Sequence, residues 1–287
     1  MIHRLISAIR IAYVSNIITH RHVFEKPFEA YQHPVVDEMF MQLKDSKSGV
    51  FVHWGVYESG KSTAAKQVAW RLQQEEGRTC ILMHGYDFIL KRTLREWFKV
   101  GIGVSAAAKE PVSNFFIKPT TIIIDHFDVL MHDRRVEDTM KFLRELASES
   151  ETTQKFNVLV LLTSWERAVQ LRDEGCYTII LPPTLSSRWT KEQLASLFCM
   201  LSIRDTTWKD DEKEELLRLA AISGTPGDLT AAIHGGKICV KRAAMLEREW
   251  QMGEKALLNL EAAECENGVG RFPDRNGIFH WEAGSSS

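Results

Sequence analysis

The chain has 287 residues, room for two domains of about 150 residues or for one α/β domain with an appendage. Hydrophobic residues make up 44% and charged residues 26%, which excludes collagen, a coiled-coil rod and wholesale disorder. With 36 basic and 38 acidic residues the net charge is −2, so nothing global draws the protein to nucleic acid, and binding of that kind needs a local patch.

No run of about 18 apolar residues occurs, so no membrane span is expected. The five cysteines (Cys80, Cys176, Cys199, Cys239 and Cys265) are odd in number, widely spaced and free of any C-x-x-C. That argues against a disulfide framework or a zinc site and for a reducing, intracellular compartment, cytoplasm or nucleus.

In chain order, the first 24 residues lack Asp and Glu but carry Arg4, Arg10 and Arg21, with Ile2, Leu5, Ile6, Ile9, Tyr13 and Ile17 at helical spacing. Residues 1–32 therefore read as a basic amphipathic extension. A helix packed on the rest of the protein accounts for it; organelle targeting by residues 1–24 and a membrane-surface helix are the alternatives. A short helix is expected over 33–45, a buried strand at Val50-Phe51-Val52-His53-Trp54, a helix over 61–75 and a second strand at Cys80-Ile81-Leu82-Met83. Residues 90–100 read as helix and 101–118 as loop. Thr121-Ile122-Ile123-Ile124 is a third strand, 134–148 a helix, Val158 to Leu162 a fourth strand, 165–174 a helix and Thr178 to Leu181 a fifth strand stopped by Pro182-Pro183.

Continuous apolar strands alternating with helices predict a parallel sheet covered on both faces. Beyond Pro183 the spacing predicts helices only, over 190–201, 210–221, 226–234 and 237–262. The expected fold is α/β: a five-stranded parallel sheet over 33–183 and a helical lid over 184–262, the boundary falling near 182–188. A Gly/Ser-rich tail over 263–287 reads as flexible.

Gly55-Val56-Tyr57-Glu58-Ser59-Gly60-Lys61-Ser62 fits G-x-x-x-x-G-K-[ST] and sits between a predicted strand and a predicted helix. In such a loop the glycines let backbone N–H groups face a β-phosphate. The lysine reaches the β- and γ-phosphates, and the serine hydroxyl ligates Mg²⁺. The next helix aims its positive end at the same anion. Candidate nucleotide-binding residues are thus Gly55, Val56, Tyr57, Glu58, Ser59, Gly60, Lys61, Ser62 and Thr63, with the charge of Glu58 expected to point away from the phosphates. Asp125, closing the third strand, is the candidate second Mg²⁺ residue beside Ser62; a helix-capping Asp is the plainer alternative.

From these residues the chain resembles AAA+ ATPases and the related STAND NTPases over about residues 33–250. Asp125-His126-Phe127-Asp128 looks like their D-E-x-D or D-D-x-D, the fourth strand with Thr163 and Ser164 like the sensor 1 strand, and Leu171-Arg172 ahead of the fifth strand like the stretch bearing an arginine finger. Ser223-Gly224-Thr225-Pro226-Gly227-Asp228-Leu229 looks like the Gly-rich turn that opens the sensor 2 helix of initiator-type members. The resemblance implies an ATP hydrolase with ATP and Mg²⁺ as cofactors, Thr163 or Ser164 sensing the γ-phosphate, and Arg172 acting in trans across a homo-oligomer or partner interface; Arg134, Arg135 and Arg188 are other finger candidates. Two departures stand out. His126 occupies the place of the family's catalytic glutamate, with Asp128 and Glu166 as other candidates near the attacking water, and no sensor 2 arginine is evident beside Gly227 and Asp228.

The expected function is ATP binding with slow hydrolysis that drives conformational change and assembly. A hydrolysis-deficient nucleotide switch is the first alternative, a nucleic-acid loader or motor the second, and a small-molecule phosphotransferase a third. Nucleic acid would engage Lys91, Arg92, Arg95 and Lys99, interleaved with Trp97 and Phe98. One exposed helix face with two core aromatics is the alternative there, and the same two readings apply to Lys237, Lys241, Arg242 and Arg248. Adenine over guanine is what the resemblance implies, and no N-K-x-D guanine motif occurs.

Overall fold

The structure, a computed structural model, describes residues 24, 32–90, 93–105, 110–131, 135–173, 179–180, 188–201, 208–233 and 238–266. The predicted amphipathic helix before Phe24, Lys91, Arg92, Arg134, Lys237, the Pro182-Pro183 boundary and the tail from residue 267 lie outside them.

Five strands, β1 (Val50–Trp54), β2 (Thr79–His84), β3 (Thr120–Asp125), β4 (Phe156–Leu162) and β5 (Ile179–Ile180), form one sheet in the order β2-β3-β4-β1-β5. Every pairing is parallel. Both faces of β1 to β4 are buried, and the period-2 alternation divides each of these four strands between two cores. Val50, Val52, Trp54, Ile122, Ile124, Val158, Val160 and Leu162 join one cluster, while Phe51, Ile123, Leu159 and Leu161 join the other.

The second face is covered by α1 (Val36–Asp45), through Val36, Met39, Phe40 and Leu43, and by α2 (Lys61–Glu76), through Ala64, Ala65, Val68, Ala69 and Leu72. Small residues on α2 let it lie close to the sheet. Phe24 packs at this edge, its N–H donating to Gln73 Oε1 at 3.1 Å. The first face is covered by α3 (Leu94–Gly101), α4 (Val136–Thr153) and α5 (Trp165–Asp173). The predicted helix over 90–100 begins only at Leu94, because residues 85–90 form a 3₁₀ turn and Thr93 caps α3 by accepting the Glu96 N–H. A second 3₁₀ turn, Val112–Phe115, interrupts the expected loop.

Helices α6 (Lys191–Leu201), α7 (Asp210–Ser223) and α8 (Pro226–Ile233) share their own core of Trp189, Leu194, Leu197, Phe198, Leu217, Ala220 and Leu229. The last helix, α9 (Val240–Glu266), packs along α7 but sends Leu246, Trp250 and Leu257 into the cluster on the first face of the sheet. Trp250 meets Trp54 edge to face, with ring centroids 5.2 Å apart, and its indole N–H donates to the Ser223 carbonyl at 2.9 Å. The Gly253 backbone lies against Trp54 and Trp165, closer than a Cβ would allow. Thus α9 ties the sheet domain to the helical one. No helix among the described residues is long and apolar enough to cross a membrane.

Candidate nucleotide-binding site

The C-terminal ends of β1, β3 and β4 converge, as parallel pairing requires, and the loop after β1 curls over them. The Gly55 N–H donates to the Leu162 carbonyl at 3.2 Å and the Ser59 N–H to the Val56 carbonyl at 3.2 Å. Two residues hold positive φ, Glu58 at 61° and Gly60 at 92°. Gly60 is required twice over, because a Cβ there would also stand 2.8 Å from the His33 ring. Gly60 then opens α2, and its carbonyl accepts the first helical bond from the Ala64 N–H.

Lys61 is buried at the centre of this loop. Its Nζ donates to the carbonyls of Gly55 at 2.7 Å and Val56 at 2.8 Å. Burial pulls its pKa down to about 8, against the opposing pull of Asp128 and Asp125. Two further basic groups lie below it. Burial brings His33 down to about 4 and His53 to about 3, and the charge of Lys61 adds to both effects. The His33 Nε2 is 2.9 Å from the Ser59 carbonyl, its main-chain N–H donates to Gln67 Oε1 at 2.9 Å, and its ring stands edge-on to Trp189. The Trp189 indole N–H reaches the same Ser59 carbonyl at 3.3 Å. The segment before α1 and the entry to the helical region therefore grip the loop from one side.

A cavity of about 790 Å³ opens above the loop. Tyr57, Glu58, Gly60, Lys61, Ser62 and Thr63 form its floor, and Asp125, His126, Leu161 and Thr163 its sheet side. Leu197, Met200, Leu201, Pro226, Gly227, Thr230 and Ala231, from α6 and α8, form a largely apolar wall. The volume falls in the range of small-molecule and cofactor sites, roughly 300–1,000 Å³.

Of the residues predicted from sequence, Tyr57, Glu58, Gly60, Lys61, Ser62, Thr63, Asp125, His126 and Thr163 are brought together on this cavity. Gly55, Val56 and Ser59 contribute through carbonyls that hold Lys61, His33 and Trp189. Asp128 is braced. Its two oxygens accept the N–H groups of Thr163 at 2.7 Å and Ser164 at 3.1 Å, tying the end of β3 to the end of β4. The Ser164 hydroxyl accepts the Arg167 N–H at 3.2 Å, which caps α5, and donates to Glu166 Oε2 at 2.7 Å.

Arg172 lies half-buried in the last turn of α5 and has a partner within the chain. Arg135 stacks over the Phe88 ring at 4.8 Å, and Arg188 lies 3.6 Å from Glu247. Lys99 is buried, so it cannot take part in a nucleic-acid surface, and exposed Arg95 lies 3.5 Å from Glu145. Trp97 and Phe98 are core residues.

The sequence missed the partner of Glu58. Arg242 of α9 bonds the Glu58 carboxylate and lies 3.4 Å from Asp228 Oδ1, while the Gly227 N–H donates to the Glu58 carbonyl at 3.3 Å. The Glu58 charge is thereby held on the lid side of the loop. Gly227 has no room for a Cβ, which would stand 2.5 Å from that of Glu58. The only sequence signal was an acid inside the loop with no cation beside it. His33, Trp189 and His84 left none.

Residues 51–173 match the model of the family described as ATPase family associated with various cellular activities (AAA). Among solved structures, a Walker-type ATPase of Pyrococcus abyssi superposes with a TM-score of 0.50 at 13% identity, covering 86% of this chain and 79% of that one. Domain III of the Thermotoga maritima replication initiation protein DnaA gives 0.43 at 12% identity, covering 82% and 97%, and a chain of Drosophila ORC bound to DNA gives 0.39 at 12%, covering 93% and 80%. No curated protein matches the chain. The family match over residues 51–173 spans the phosphate-binding loop and strands β2 to β4, so this part of the chain is similar to the AAA ATPases.

Proposed function

We propose that this protein binds ATP in the cavity between the sheet edge and helices α6 and α8, hydrolyses it slowly, and uses the nucleotide state to change the seating of the helical region on the sheet domain. The observation that carries this reading is the shared cavity itself: one wall is the phosphate loop and the opposite wall is the lid. A nucleotide there touches both, and a ligand shifts a conformational equilibrium only through such differential contacts. Lys61 grips the phosphates, Thr163, which lines the same cavity, is the residue assigned to sensing the γ-phosphate, and the apolar wall of Leu197, Met200, Leu201 and Pro226 suits the face of a purine. Arg172, on α5, is the arginine offered across an interface to a second copy or a partner.

The residues also fit Mg²⁺. The Asp125 Oδ1 accepts the His126 N–H at 2.9 Å, which leaves Oδ2 for a cation, and Ser62 lines the same cavity. Ser62 and Asp125 would hold the ion, which neutralises phosphate charge when bound. Slow turnover is what we infer from His126, an uncharged imidazole where the resemblance places an anionic glutamate to polarise the attacking water. Asp128 is braced by two amides, which leaves it less suited to that part than His126.

Steady-state ATP turnover of wild type and His126→Glu in Mg²⁺ tests the hydrolytic part. The substitution is expected to raise the rate by about a hundredfold, at the low end of what a positioned general base contributes. Unchanged turnover would remove residue 126 from the water's position. A nucleic-acid loader is less well supported, since Lys99 is buried and Arg95 is paired.

A further inference from the structure

Three side chains with no sequence spacing in common meet at the C-terminal edge of the sheet. His84 ends β2 and Asp125 ends β3, and the two are register partners; His126 follows. The His84 Nδ1 lies 3.7 Å and the His126 Nε2 3.8 Å from Asp125 Oδ2, and one ligand atom from each residue falls within 4.8 Å of the other two.

The local backbone fixes this grouping. Asp125 Oδ1 is occupied by the His126 N–H, so Oδ2 is the oxygen presented to the imidazoles. His126 adopts φ 54°, an unfavourable conformation that the surroundings must hold. Gly85 permits it, because a Cβ there would stand 2.3 Å from the His126 carbonyl oxygen. The Tyr86 ring, 4.9 Å from that of His126, flanks the imidazole.

The distances distinguish two uses of such a cluster. At 3.7–3.8 Å the imidazoles are too far from the carboxylate for a hydrogen bond. Two donors each about 2.1 Å from one tetrahedral ion lie roughly 3.4 Å apart, so the two imidazole–carboxylate separations need only a small closure, while the full set, within 4.8 Å, needs the exposed imidazoles to turn toward each other.

We propose that His84 Nδ1, Asp125 Oδ2 and His126 Nε2 form a binding site for a divalent transition metal of the zinc, cobalt or manganese class. Two nitrogens and one oxygen favour such an ion over Mg²⁺, which takes oxygen donors and gives up its water reluctantly. Both imidazoles are 42% exposed, so the ion can enter from solvent and keep an open coordination position. Asp125 is shared with the nucleotide reading, but the site needs no nucleotide and its test uses none.

The experiment titrates the untagged full chain with Co²⁺ in excess Mg²⁺ and without nucleotide, following visible d–d absorption. One Co²⁺ per chain is expected, with the intense bands of a four-coordinate site. Exposed Cys199 and Cys239 are competing ligands, but thiolate binding announces itself by near-ultraviolet charge-transfer absorption. His84→Ala, or His84→Gln if the alanine variant unfolds, should weaken Co²⁺ binding at least about tenfold, a loss of about 1.4 kcal/mol. Lys61→Ala should bind Co²⁺ as wild type does, so failure of the nucleotide reading is scored separately from failure of this one. Absence of d–d bands in wild type, displacement of Co²⁺ by Mg²⁺, or equal Co²⁺ affinity in wild type and the His84 variants would overturn the site.

Discussion

His33 and His53 sit beneath Lys61, and the burial that makes the phosphate loop rigid also forces both imidazoles to stay neutral. Their folded pKa values, about 4 and about 3, lie below the ordinary 6.5, so between these values the unfolded chain binds more protons than the folded one. Stability is therefore complete above pH 6.5 and is lost as pH falls toward the folded values, by a few kcal/mol in order of magnitude. Urea unfolding between pH 7 and pH 5, a range above most carboxylate titration, should show stability falling with pH, and His53→Gln should flatten that slope. A slope identical in the variant would contradict the assignment. At this scale the sequence was legible where chemistry follows from local order. Lys61, Ser62 and Asp125 were recognisable because a loop and a strand end fix them. His84 was not, since its partners lie on the next strand in space, about 40 residues on in the chain.

The elements were legible through their periodicity, and their ends were less so. The strands were found because parallel strands buried on both faces are continuous apolar runs. The boundary of α3 was displaced because a threonine cap outweighed the helical pattern of residues 90–93. The predicted lid, 184–262, ran together two kinds of helix: α6 to α8 share a core of their own, whereas α9 also contributes to the core under the sheet. Arg242 on α9 was read as one charge on a basic helix, yet it reaches the phosphate loop and the start of α8.

That contact makes a specific demand. The Arg242 and Glu58 side chains are each about one-third exposed, so Arg242→Ala should change the unfolding free energy by less than about 1 kcal/mol. It should nevertheless release the start of α8, raising amide hydrogen exchange over residues 227–233 several-fold. Unaltered exchange there would show that the ion pair does not hold the lid to the loop.

Across the whole molecule, the near-neutral charge and the site are consistent. An anion held by one buried lysine, backbone N–H groups and a helix N-terminus needs no basic surface. The sheet and the loop after β1 form one wall of the cavity, α6 and α8 form the opposite wall, and α9 links the two regions through Trp250 and Arg242. In the proposed function, nucleotide occupancy and the position of the helical region would be coupled through these shared contacts. All of this depends on Lys61 holding a nucleotide. The most direct measurement is the dissociation constant for a fluorescent ATP analogue in Mg²⁺, for wild type and for Lys61→Ala shown to be folded by circular dichroism. Binding weakened by about tenfold or more in the variant, at least about 1.4 kcal/mol, is the predicted result. Equal affinity in the two proteins would contradict the account.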